Sequence, residues 1–344
     1  MTLVLIRDVE IIAPNFKKRL SGVTSTIIQL IPVQRALGQK IATLGPGLPA
    51  SLPHIRFRDL LSLWTAPPGR KNRVWHARRN LEMLPAIILR DVLRMKLKIL
   101  FTSAAQRRHS AWTRFLIRRM DAVVATSETS GSFLELPHTV INHGINLDVF
   151  HPPEPDEMAS DPFLVGCFGR VRHQKGTDLF VRAMVELLPR YPRWSAVVCG
   201  RVTPEHTAFA AELKNLVAGA GLSERISFLG EVDDIKPWYR RLSLYVAPSR
   251  NEGFGLTPLE AMASVTAVVA SDAGAYAELI ASGETGKVVP AGDYEALRGA
   301  IETYLADPQK AIGDGWAGEK RTREHFDISR EAQALSAVYE RLLG

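Results

Sequence analysis

The sequence predicts an α/β protein with two domains, and three observations support this. Short apolar runs alternate with helix-length segments, a pattern typical of parallel sheets covered by helices on both faces. The length of 344 residues is enough for two domains. A proline-rich, acidic stretch at about 149–162 precedes a more regular second half. We expect domains at 1–155 and 156–325, followed by a C-terminal segment at 326–344.

The first half contains short apolar runs that predict strands at 9–14, 40–44, 74–77, 98–101 and 122–126. An apolar helix is predicted from about Gly22 to Leu37. The small residue Gly22 would let a ligand approach the backbone, whereas Ser21 serving only as a helix cap explains the same spacing equally well. The stretch 48–69 is rich in proline, and its structure is not assigned.

The second half gives a more regular alternation. Strands are predicted at 163–168, 195–199, 226–229, 242–247, 266–270 and 287–290. Helices are predicted at 177–188, 206–218, 235–241, 258–263, 275–281, 293–305 and 328–343.

Several classes of protein are disfavoured by what the sequence lacks. No run approaches the ~18 apolar residues of a membrane span, and the N-terminus has no signal-peptide pattern. A Walker A loop and an early Gly-x-Gly-x-x-Gly are missing, which weakens ATPase and dehydrogenase interpretations. Metal-ligand spacing is missing as well. Cys167 and Cys199 lie in apolar runs, so we expect reduced core residues of a cytoplasmic protein.

Positive charge is concentrated in the first half of the chain. Residues 1–160 contain 22 Lys and Arg against 12 Asp and Glu, a net charge of +10, whereas residues 161–344 contain 21 and 24, a net charge of −3. This asymmetry favours an anionic partner, which could be nucleic acid, anionic lipid or an anionic glycolipid. A solvated arginine-rich surface is the simpler alternative.

Two basic clusters follow predicted strands in this half. Arg78 and Arg79 come after Trp75-His76, while Arg107, Arg108 and His109 come after the strand at 98–101. Because the carboxyl ends of parallel strands face the ligand crevice, these clusters favour a binding site. The segment 87–100 mixes apolar and basic residues. It is interpreted first as an amphipathic helix running into a strand, and second as a surface lying on an anionic membrane.

The strongest local pattern is the stretch 250–262, which follows an apolar strand. Glu252 precedes a glycine-containing loop, and Thr257-Pro258-Leu259-Glu260 reads as a helix start with a hydroxyl N-cap and a capping-box glutamate. A helix N-terminus of this kind suits phosphates or sugar hydroxyls. Glu260 has a structural interpretation of about equal weight, whereas Glu252 has no capping duty and is the better ligand-binding acid.

A second loop, 169–177, lies between a predicted strand and a predicted helix. It carries Arg170 and Lys175, and Thr177 is a plausible N-cap. Fixed cations of this kind stabilise a diphosphate leaving group more in the transition state than in the ground state. Two basic residues alone are weak evidence, since a solvated loop would look the same. Together with the stretch at 250–262, they indicate phosphate binding.

These motifs resemble the retaining glycosyltransferases of family 4, which have the GT-B architecture. The resemblance is specific over about 138–310, and it rests on these segments: Gly169-Arg170, Lys175-Gly176, Phe228-Leu229-Gly230, Pro248-Ser249-Arg250, Glu252-Gly253-Phe254-Gly255-Leu256, Glu260-Ala261-Met262 and Gly286 to Pro290. The run 142–146 with Phe150 and Pro152 looks like the domain-closing turn. Within the family, segments 75–80 and 101–110 are similar to enzymes that add mannose to the lipopolysaccharide inner core.

The resemblance implies two Rossmann-like domains facing each other across a cleft, with the last helix crossing back to the N-terminal domain. It implies that Arg170 and Lys175 hold the donor diphosphate, with Gly22 beside it. Glu252 and the amides of Phe254, Gly255 and Leu256 would hold sugar and phosphate, and Glu260 the ribose. Base recognition would come from the backbone around Arg201 and 229–232. Neither a metal nor a protein nucleophile would be needed.

Two positions depart from the family pattern. Many members carry a histidine at the strand end where this chain has Phe101, so His109, His76 or neither takes over the sugar contact. The glycine that usually follows Glu-Ala-Met-Ala-Ser is Val265 here, and we expect it to be tolerated because the run continues directly into a strand.

The resulting expectation is a mannosyltransferase, cytoplasmic and peripheral on the inner face of the cytoplasmic membrane. It would move mannose from GDP-mannose to an anionic, lipid-linked inner-core sugar of a lipopolysaccharide precursor. The acceptor would be bound by His76, Arg78, Arg79, Arg107, Arg108 and His109. The alternatives are a family 4 enzyme using a UDP-sugar on another lipid or polysaccharide, and a non-catalytic protein that binds anionic surfaces or nucleic acid.

Overall fold

The chain forms two units, Met1–Gly144 with Ile328–Gly344, and Ile145–Asp327. The structure, a computed structural model, describes residues 2–18, 22–154 and 163–344. The predicted boundary at 155, the end of the predicted linker and Ser21 lie outside the described residues. The described chain divides after Gly144 and again after Asp327.

The first unit contains a parallel sheet of eight short strands, in the order β1-β4-β3-β2-β5-β6-β7-β8. The strands are β1 (Thr2–Leu3), β2 (Ile11–Pro14), β3 (Ile41–Leu44), β4 (Pro53–Ile55), β5 (Arg73–Ala77), β6 (Leu97–Ser103), β7 (Ala122–Ala125) and β8 (Thr139–Val140). The central strands are buried along their length, which explains their continuous apolar runs. The strand order reverses between β2 and β5, so ligands are expected beyond the ends of these two strands.

Helices cover both faces of this sheet. They are α1 (Gly22–Ala36), α2 (Asn80–Ile87), α3 (Ala111–Ile117), α4 (Glu128–Ser132) and the last helix of the chain, α12 (Ile328–Leu343). Helices α1 and α12 share one apolar core, and α2 and α3 contribute to the other. Between α2 and β6 the chain makes a π-helical turn, Ile88–Val92, so the segment 87–100 is a helix end running into a strand.

The second unit contains a six-stranded parallel sheet in the order β11-β10-β9-β12-β13-β14. The strands are β9 (Phe163–Phe168), β10 (Trp194–Cys199), β11 (Ile226–Gly230), β12 (Leu244–Ala247), β13 (Ala267–Ser271) and β14 (Gly286–Val289). Strand order reverses between β9 and β12. Both cysteines are free and buried in this sheet, as predicted, and burial raises the pKa of the Cys167 thiol to about 12.

Seven helices surround this sheet within the described residues. They are α5 (Thr177–Leu187), α6 (Thr207–Gly219), α7 (Lys236–Arg241), α8 (Thr257–Ala263), α9 (Tyr276–Leu279), α10 (Tyr294–Ala306) and α11 (Pro308–His325). None of the helices that the structure describes, in either unit, is both long and apolar enough to cross a bilayer. The two units thus repeat one architecture, and each places its strand-order reversal at the centre of its sheet.

Candidate active site

Two loops lie side by side where the strand order of the second unit reverses. One loop follows β9 and carries Arg170 and Lys175. The other follows β12 and carries Arg250 and Glu252. Strands β9 and β12 pair directly, and the carboxyl ends of such neighbouring strands form the ligand crevice of an open α/β sheet.

Arg250 fastens the two loops together. Its guanidinium binds both carboxylate oxygens of Asp178 at 2.8 and 2.7 Å and donates to the carbonyl oxygen of His173 at 2.6 Å. This pairing keeps the pKa of Asp178 below its usual value even though burial opposes ionisation. Because a two-pronged Arg–carboxylate pair fixes geometry as well as charge, it holds the loops in register.

A glycine is required where the first loop meets the second. Gly176 has a φ of +69°, and a Cβ there would lie 1.9 Å from the carbonyl oxygen of Pro248. Gly176 is also the N-cap of α5, which makes Thr177 the first helical residue. The prediction of Thr177 as the N-cap is therefore wrong, because the close approach of the two loops demands the glycine at that position.

Lys175 and Glu252 form an ion pair between the two loops. Their side chains are 19% and 18% exposed, so each charge is partly withdrawn from water and neutralised by the other. The Tyr276 hydroxyl donates to the same carboxylate at 3.4 Å, and the backbone N–H of Gly253 donates to its other oxygen at 3.1 Å. The lysine and the acid that the sequence singled out are thus brought together.

Glu260 lies one turn into α8, but it does not cap that helix. The N-cap is Leu256, no side chain caps the helix, and the Glu260 carboxylate accepts a hydrogen bond from the Tyr239 hydroxyl at 2.7 Å. The predicted capping box with Thr257 is therefore wrong, because Thr257 is already helical. Burial raises the pKa of Glu260, while Tyr239 and Lys175 oppose that shift.

The remaining predicted donor residues, with the exception of Gly22, lie at the same edge of the second unit. Arg170 is exposed, and Arg201 follows β10, where its carbonyl oxygen accepts from the Val171 N–H at 3.1 Å. Gly255 and Leu256 are half-buried, and the Phe254 ring is buried. Gly22 belongs to the first unit, where it is exposed and begins α1 after β2.

The basic residues of the first unit separate into buried and exposed groups. His76 is 1% exposed, and its ring nitrogens contact the Tyr339 hydroxyl and the Thr102 hydroxyl, both at 2.7 Å. Burial lowers the pKa of His76 well below its usual value, followed by the effect of Arg78. The expected acceptor contact of His76 is corrected accordingly, because the ring is a neutral core group.

Arg79 is held by the protein itself. Its guanidinium donates to Asn15 at 2.8 Å, to Glu82 at 2.9 Å and to Thr24 at 3.2 Å. These bonds tie β5 to the segment after β2. The expected acceptor role of Arg79 stays a prediction, since these bonds hold its guanidinium in place much as Glu252 holds Lys175.

Arg78 is the half-buried member of this cluster. Its guanidinium contacts His76 at 3.3 Å, and burial lowers its pKa. No carboxylate among the described residues lies within ion-pair distance of it. A half-buried cation of this kind suits an anionic ligand.

Arg107, Arg108 and His109 lie in an exposed turn after β6. Arg108 pairs with Glu135 at 3.0 Å, and Arg107 is exposed to solvent. His109 is half-buried, contacts the Ser103 hydroxyl at 3.2 Å and lies edge-on to Phe101. Burial and Arg107 lower the pKa of His109. His109 therefore lies against Phe101, the position of the missing family histidine, whereas the His76 ring contacts the next residue, Thr102.

Sequence reasoning missed two groups that shape the site. It assigned no role to the Arg250–Asp178 pair or to the tyrosines that hold Glu252 and Glu260. Residues 72 apart in the chain carry no local pattern that would pair them. Within the described ranges, no group of three or more His, Cys, Asp or Glu side chains is placed to hold a metal ion.

Comparison with known proteins places this geometry in context. Residues 162–307 match the family described as Glycosyl transferases group 1. The chain is 68% identical to the lipopolysaccharide core biosynthesis mannosyltransferase LpcC of Rhizobium leguminosarum bv. viciae, over 98% of each chain. It is 60% identical to the lipopolysaccharide core biosynthesis mannosyltransferase LpsB of Rhizobium meliloti (strain 1021), over 98% of this chain and 99% of that protein.

Solved structures are similar as well. Anabaena HepE in complex with UDP aligns with a TM-score of 0.82 at 19% identity, over 96% of this chain and 100% of that one, which supports the two-sheet α/β fold. The C-terminal domain of the Francisella tularensis group 1 glycosyl transferase LpcC aligns with a TM-score of 0.51 at 35% identity, over 54% of this chain and 100% of that one.

Proposed function

Because this chain belongs to the group 1 glycosyl transferases, we propose that it transfers mannose from GDP-mannose to an anionic inner-core sugar of a lipopolysaccharide precursor. The observation that carries the proposal is the 68% identity, over 98% of both chains, to a lipopolysaccharide core biosynthesis mannosyltransferase. The chain is a glycosyltransferase, whereas the sugar, the nucleotide and the acceptor belong to the proposal.

The Lys175–Glu252 pair suggests how a donor binds. Without donor, each side chain neutralises the other. A diphosphate beside Lys175 and Arg170 would take over the lysine, which leaves the Glu252 carboxylate available to accept hydrogen bonds from sugar hydroxyls. Arg170 and Lys175 would stabilise the leaving diphosphate more strongly as it acquires charge in the transition state.

The reaction follows from these roles. The acceptor hydroxyl oxygen bonds to the anomeric carbon on the face from which the diphosphate departs, so the configuration is retained. The glycosidic bond to the diphosphate breaks, and a departing phosphate oxygen takes the acceptor proton. The proposal includes no metal and no protein nucleophile, so we expect a chelator to leave the rate unchanged.

The acceptor would meet the cations of the first unit. Arg78 and Arg107 offer guanidinium groups, and His109 lies in the same turn as Arg107. Carboxylates and phosphates of an inner-core glycan are the anions that planar guanidinium groups bind well. We propose that the enzyme works at the inner face of the cytoplasmic membrane, where a lipid-linked acceptor would be available.

Nucleotide binding tests the donor part of the proposal. GDP and GDP-mannose should raise the melting temperature more than UDP and UDP-glucose do at equal concentration, because a ligand at a hundredfold excess over its Kd stabilises by about 2.7 kcal/mol. Lys175→Ala should lose the shift. Lys310→Ala, which breaks a part-buried ion pair elsewhere in the second unit, should keep it. Stabilisation by UDP and not by GDP would favour the UDP-sugar alternative.

A further inference from the structure

The first unit exposes an unusual number of large apolar side chains. Among the described residues, 13 large hydrophobic side chains of the first unit are exposed, against four of the second. Ten of the 13 lie on the layer that covers one face of the first sheet: Phe57, Leu61, Trp64, Leu81, Leu84, Ile88, Val92, Leu93, Trp112 and Phe115. Exposed apolar side chains that lie together on one surface mark interaction sites.

This layer is continuous, because its parts bind one another. The Trp64 indole donates to the carbonyl oxygen of Leu93 at 2.8 Å, and Asn80 of α2 donates to Thr113 of α3 at 2.7 Å. The guanidinium of Arg90 donates to the carbonyl oxygen of Arg119 at 2.8 Å, which joins the π-helical turn to the end of α3. We call this surface, formed by residues 57–64, 81–93 and 112–119, the outer layer.

The apolar side chains of the outer layer are arranged to meet a surface from outside. Leu84, Ile88 and Val92 follow one another every four residues and form a stripe, with Val92 70% exposed. On α3, Trp112 and Phe115 stack with ring centroids 5.6 Å apart and are 52% and 47% exposed. The opposite side of the same helices packs on the sheet, so these outward residues are not needed to complete the core.

Positive charge accompanies this apolar surface. The outer layer contains five arginines (Arg58, Arg90, Arg114, Arg118 and Arg119) against three acids (Asp59, Glu82 and Asp91), and the adjoining segment 94–111 adds five Lys and Arg and no Asp or Glu. Arg94 and Lys96 are exposed, the Arg118 side chain is 70% exposed, and the Arg119 guanidinium lies over the Phe115 ring at 4.5 Å. Aromatic and aliphatic groups beside exposed arginines form the pattern that inserts between anionic lipid headgroups.

We propose that the outer layer is the surface by which this protein docks on an anionic phospholipid bilayer. This deepens the proposed function, on which it rests, by assigning the membrane contact to particular residues. A second copy of the chain fits less well, since a twofold contact through this layer would bring two net positive surfaces together, each with five Lys and Arg against three Asp and Glu. Nucleic acid fits less well because the aliphatic stripe of Leu84, Ile88 and Val92 offers it nothing to bind.

Vesicle sedimentation of the full chain tests the docking surface. The protein should bind vesicles of phosphatidylcholine with phosphatidylglycerol, and its affinity for vesicles of phosphatidylcholine alone should be lower by at least about tenfold. Trp112→Ser with Phe115→Ser should reduce binding to the anionic vesicles by about tenfold or more. The matched control is Ile312→Ser with Trp316→Ser, which removes a similar exposed pair from the second unit and should bind like the wild type.

A charge variant keeps the test valid if the apolar variant folds poorly. Lys96→Gln with Arg118→Gln should weaken binding to the anionic vesicles while leaving binding to phosphatidylcholine unchanged. The proposal is overturned if both variants bind like the wild type. It is also overturned if the wild type ignores anionic vesicles, whether it forms a dimer through this layer or binds RNA instead.

Transfer to a deacylated, water-soluble core acceptor separates the two proposals. The wild type, the Trp112/Phe115 variant and the Lys96/Arg118 variant should transfer mannose to it at equal rates, because no bilayer is involved. Vesicle binding without any transfer would contradict the proposed function alone. If the wild type transfers mannose but both variants bind vesicles as well as the wild type does, only the docking surface is contradicted.

Discussion

At the scale of single residues, the proposed donor site depends most on Lys175 and Glu252. They lie 77 residues apart in the sequence, yet each stands in a loop at the end of one of two neighbouring strands. Their charges satisfy each other in the structure and would be redistributed by a charged, hydroxyl-rich ligand. This dual use explains why a part-buried ion pair is placed where a sugar phosphate should bind.

A substitution at Glu260 can separate a structural role of this side chain from a ligand-binding role. Glu260→Gln keeps an oxygen that accepts from Tyr239 but removes the charge. Burial raises the pKa of Glu260. At low pH the carboxyl is protonated in both the folded and the unfolded state, so it does not lower the free energy of unfolding. As the pH rises through the folded pKa, the buried carboxyl must ionise, and the free energy of unfolding falls. The variant should therefore gain stability relative to the wild type at pH 7.5 and not at pH 4, as measured by thermal unfolding.

The same variant should bind donor more weakly if Glu260 holds the ribose. We expect its KM for GDP-mannose to rise about tenfold, because a charged acceptor of hydrogen bonds is replaced by a neutral one. An unchanged KM together with the stability change would mean that Glu260 serves Tyr239 and α8 only.

Residue types in sequence predicted part of this site, and the rest needed the fold. Arg170, Lys175 and Glu252 were recognisable because they sit in loops between strand and helix patterns. His76 and Arg79 look the same in sequence, since they also follow a strand. The fold separates them, because the His76 ring is buried against Tyr339, 263 residues away, and Arg79 is bonded to Asn15. Burial of a polar group depends on such distant partners.

At the scale of elements, the end of α8 contains a strained residue. Val265 has a φ of +60° at the position where the N–H groups of Val265 and Thr266 bond back to the carbonyls of Met262 and Ala261. Glycine is usual at this point because a branched side chain is crowded in the left-handed region. The expectation that Val265 is tolerated because it leads directly into a strand missed this turn.

Val265→Gly should stabilise the second unit. Removing the strain of a β-branched residue in the left-handed region should stabilise the folded state by roughly 1 kcal/mol more than the extra backbone entropy of glycine costs. This difference corresponds to about 2–4 °C in Tm. Val265→Ala is the control, because it shortens the side chain without giving glycine's freedom, and it should gain less. A lower Tm for Val265→Gly than for the wild type would show that Val265 is not strained.

Regular amphipathic elements were predictable, and elements with unusual packing were not. Strand β9 and helix α12 occupy the predicted ranges, 163–168 and 328–343, because their apolar residues follow one clear period. Helix α11 was missed. Its buried face consists of small and polar residues (Ala311, Asp314, Gly315, Gly318, Glu319 and Thr322), and a Cβ on Gly315 would lie 2.3 Å from the carbonyl oxygen of Val265. A buried face with no large apolar side chain leaves little periodic signal to detect.

At the scale of the whole molecule, the chain returns to its first unit at the end. Helix α12 packs with α1, and Tyr339 accounts for two buried polar contacts there. Its hydroxyl contacts His76 at 2.7 Å and accepts from Gln34 at 3.2 Å. The last 17 residues therefore complete the core of a unit whose other residues all precede position 145.

Tyr339→Phe should destabilise the first unit selectively. Loss of the hydroxyl removes the buried partner of His76 Nδ1 and of the Gln34 amide, which costs about 1–3 kcal/mol. Hydrogen exchange should become faster in peptides of the first unit and stay unchanged in those of the second. Tyr304→Phe, which removes a buried bond to Asp314, should do the reverse. Equal effects on both units would mean that they unfold together.

Transfer of labelled mannose from GDP-mannose to a deacylated lipopolysaccharide core acceptor tests the central claim most directly. We predict one added hexose per acceptor with GDP-mannose and none with UDP-sugars offered in parallel. Lys175→Ala and Glu252→Ala should each reduce the rate by about a hundredfold or more, whereas Lys310→Ala should not. Transfer from a UDP-sugar instead, or near-normal turnover in both site variants, would contradict the account.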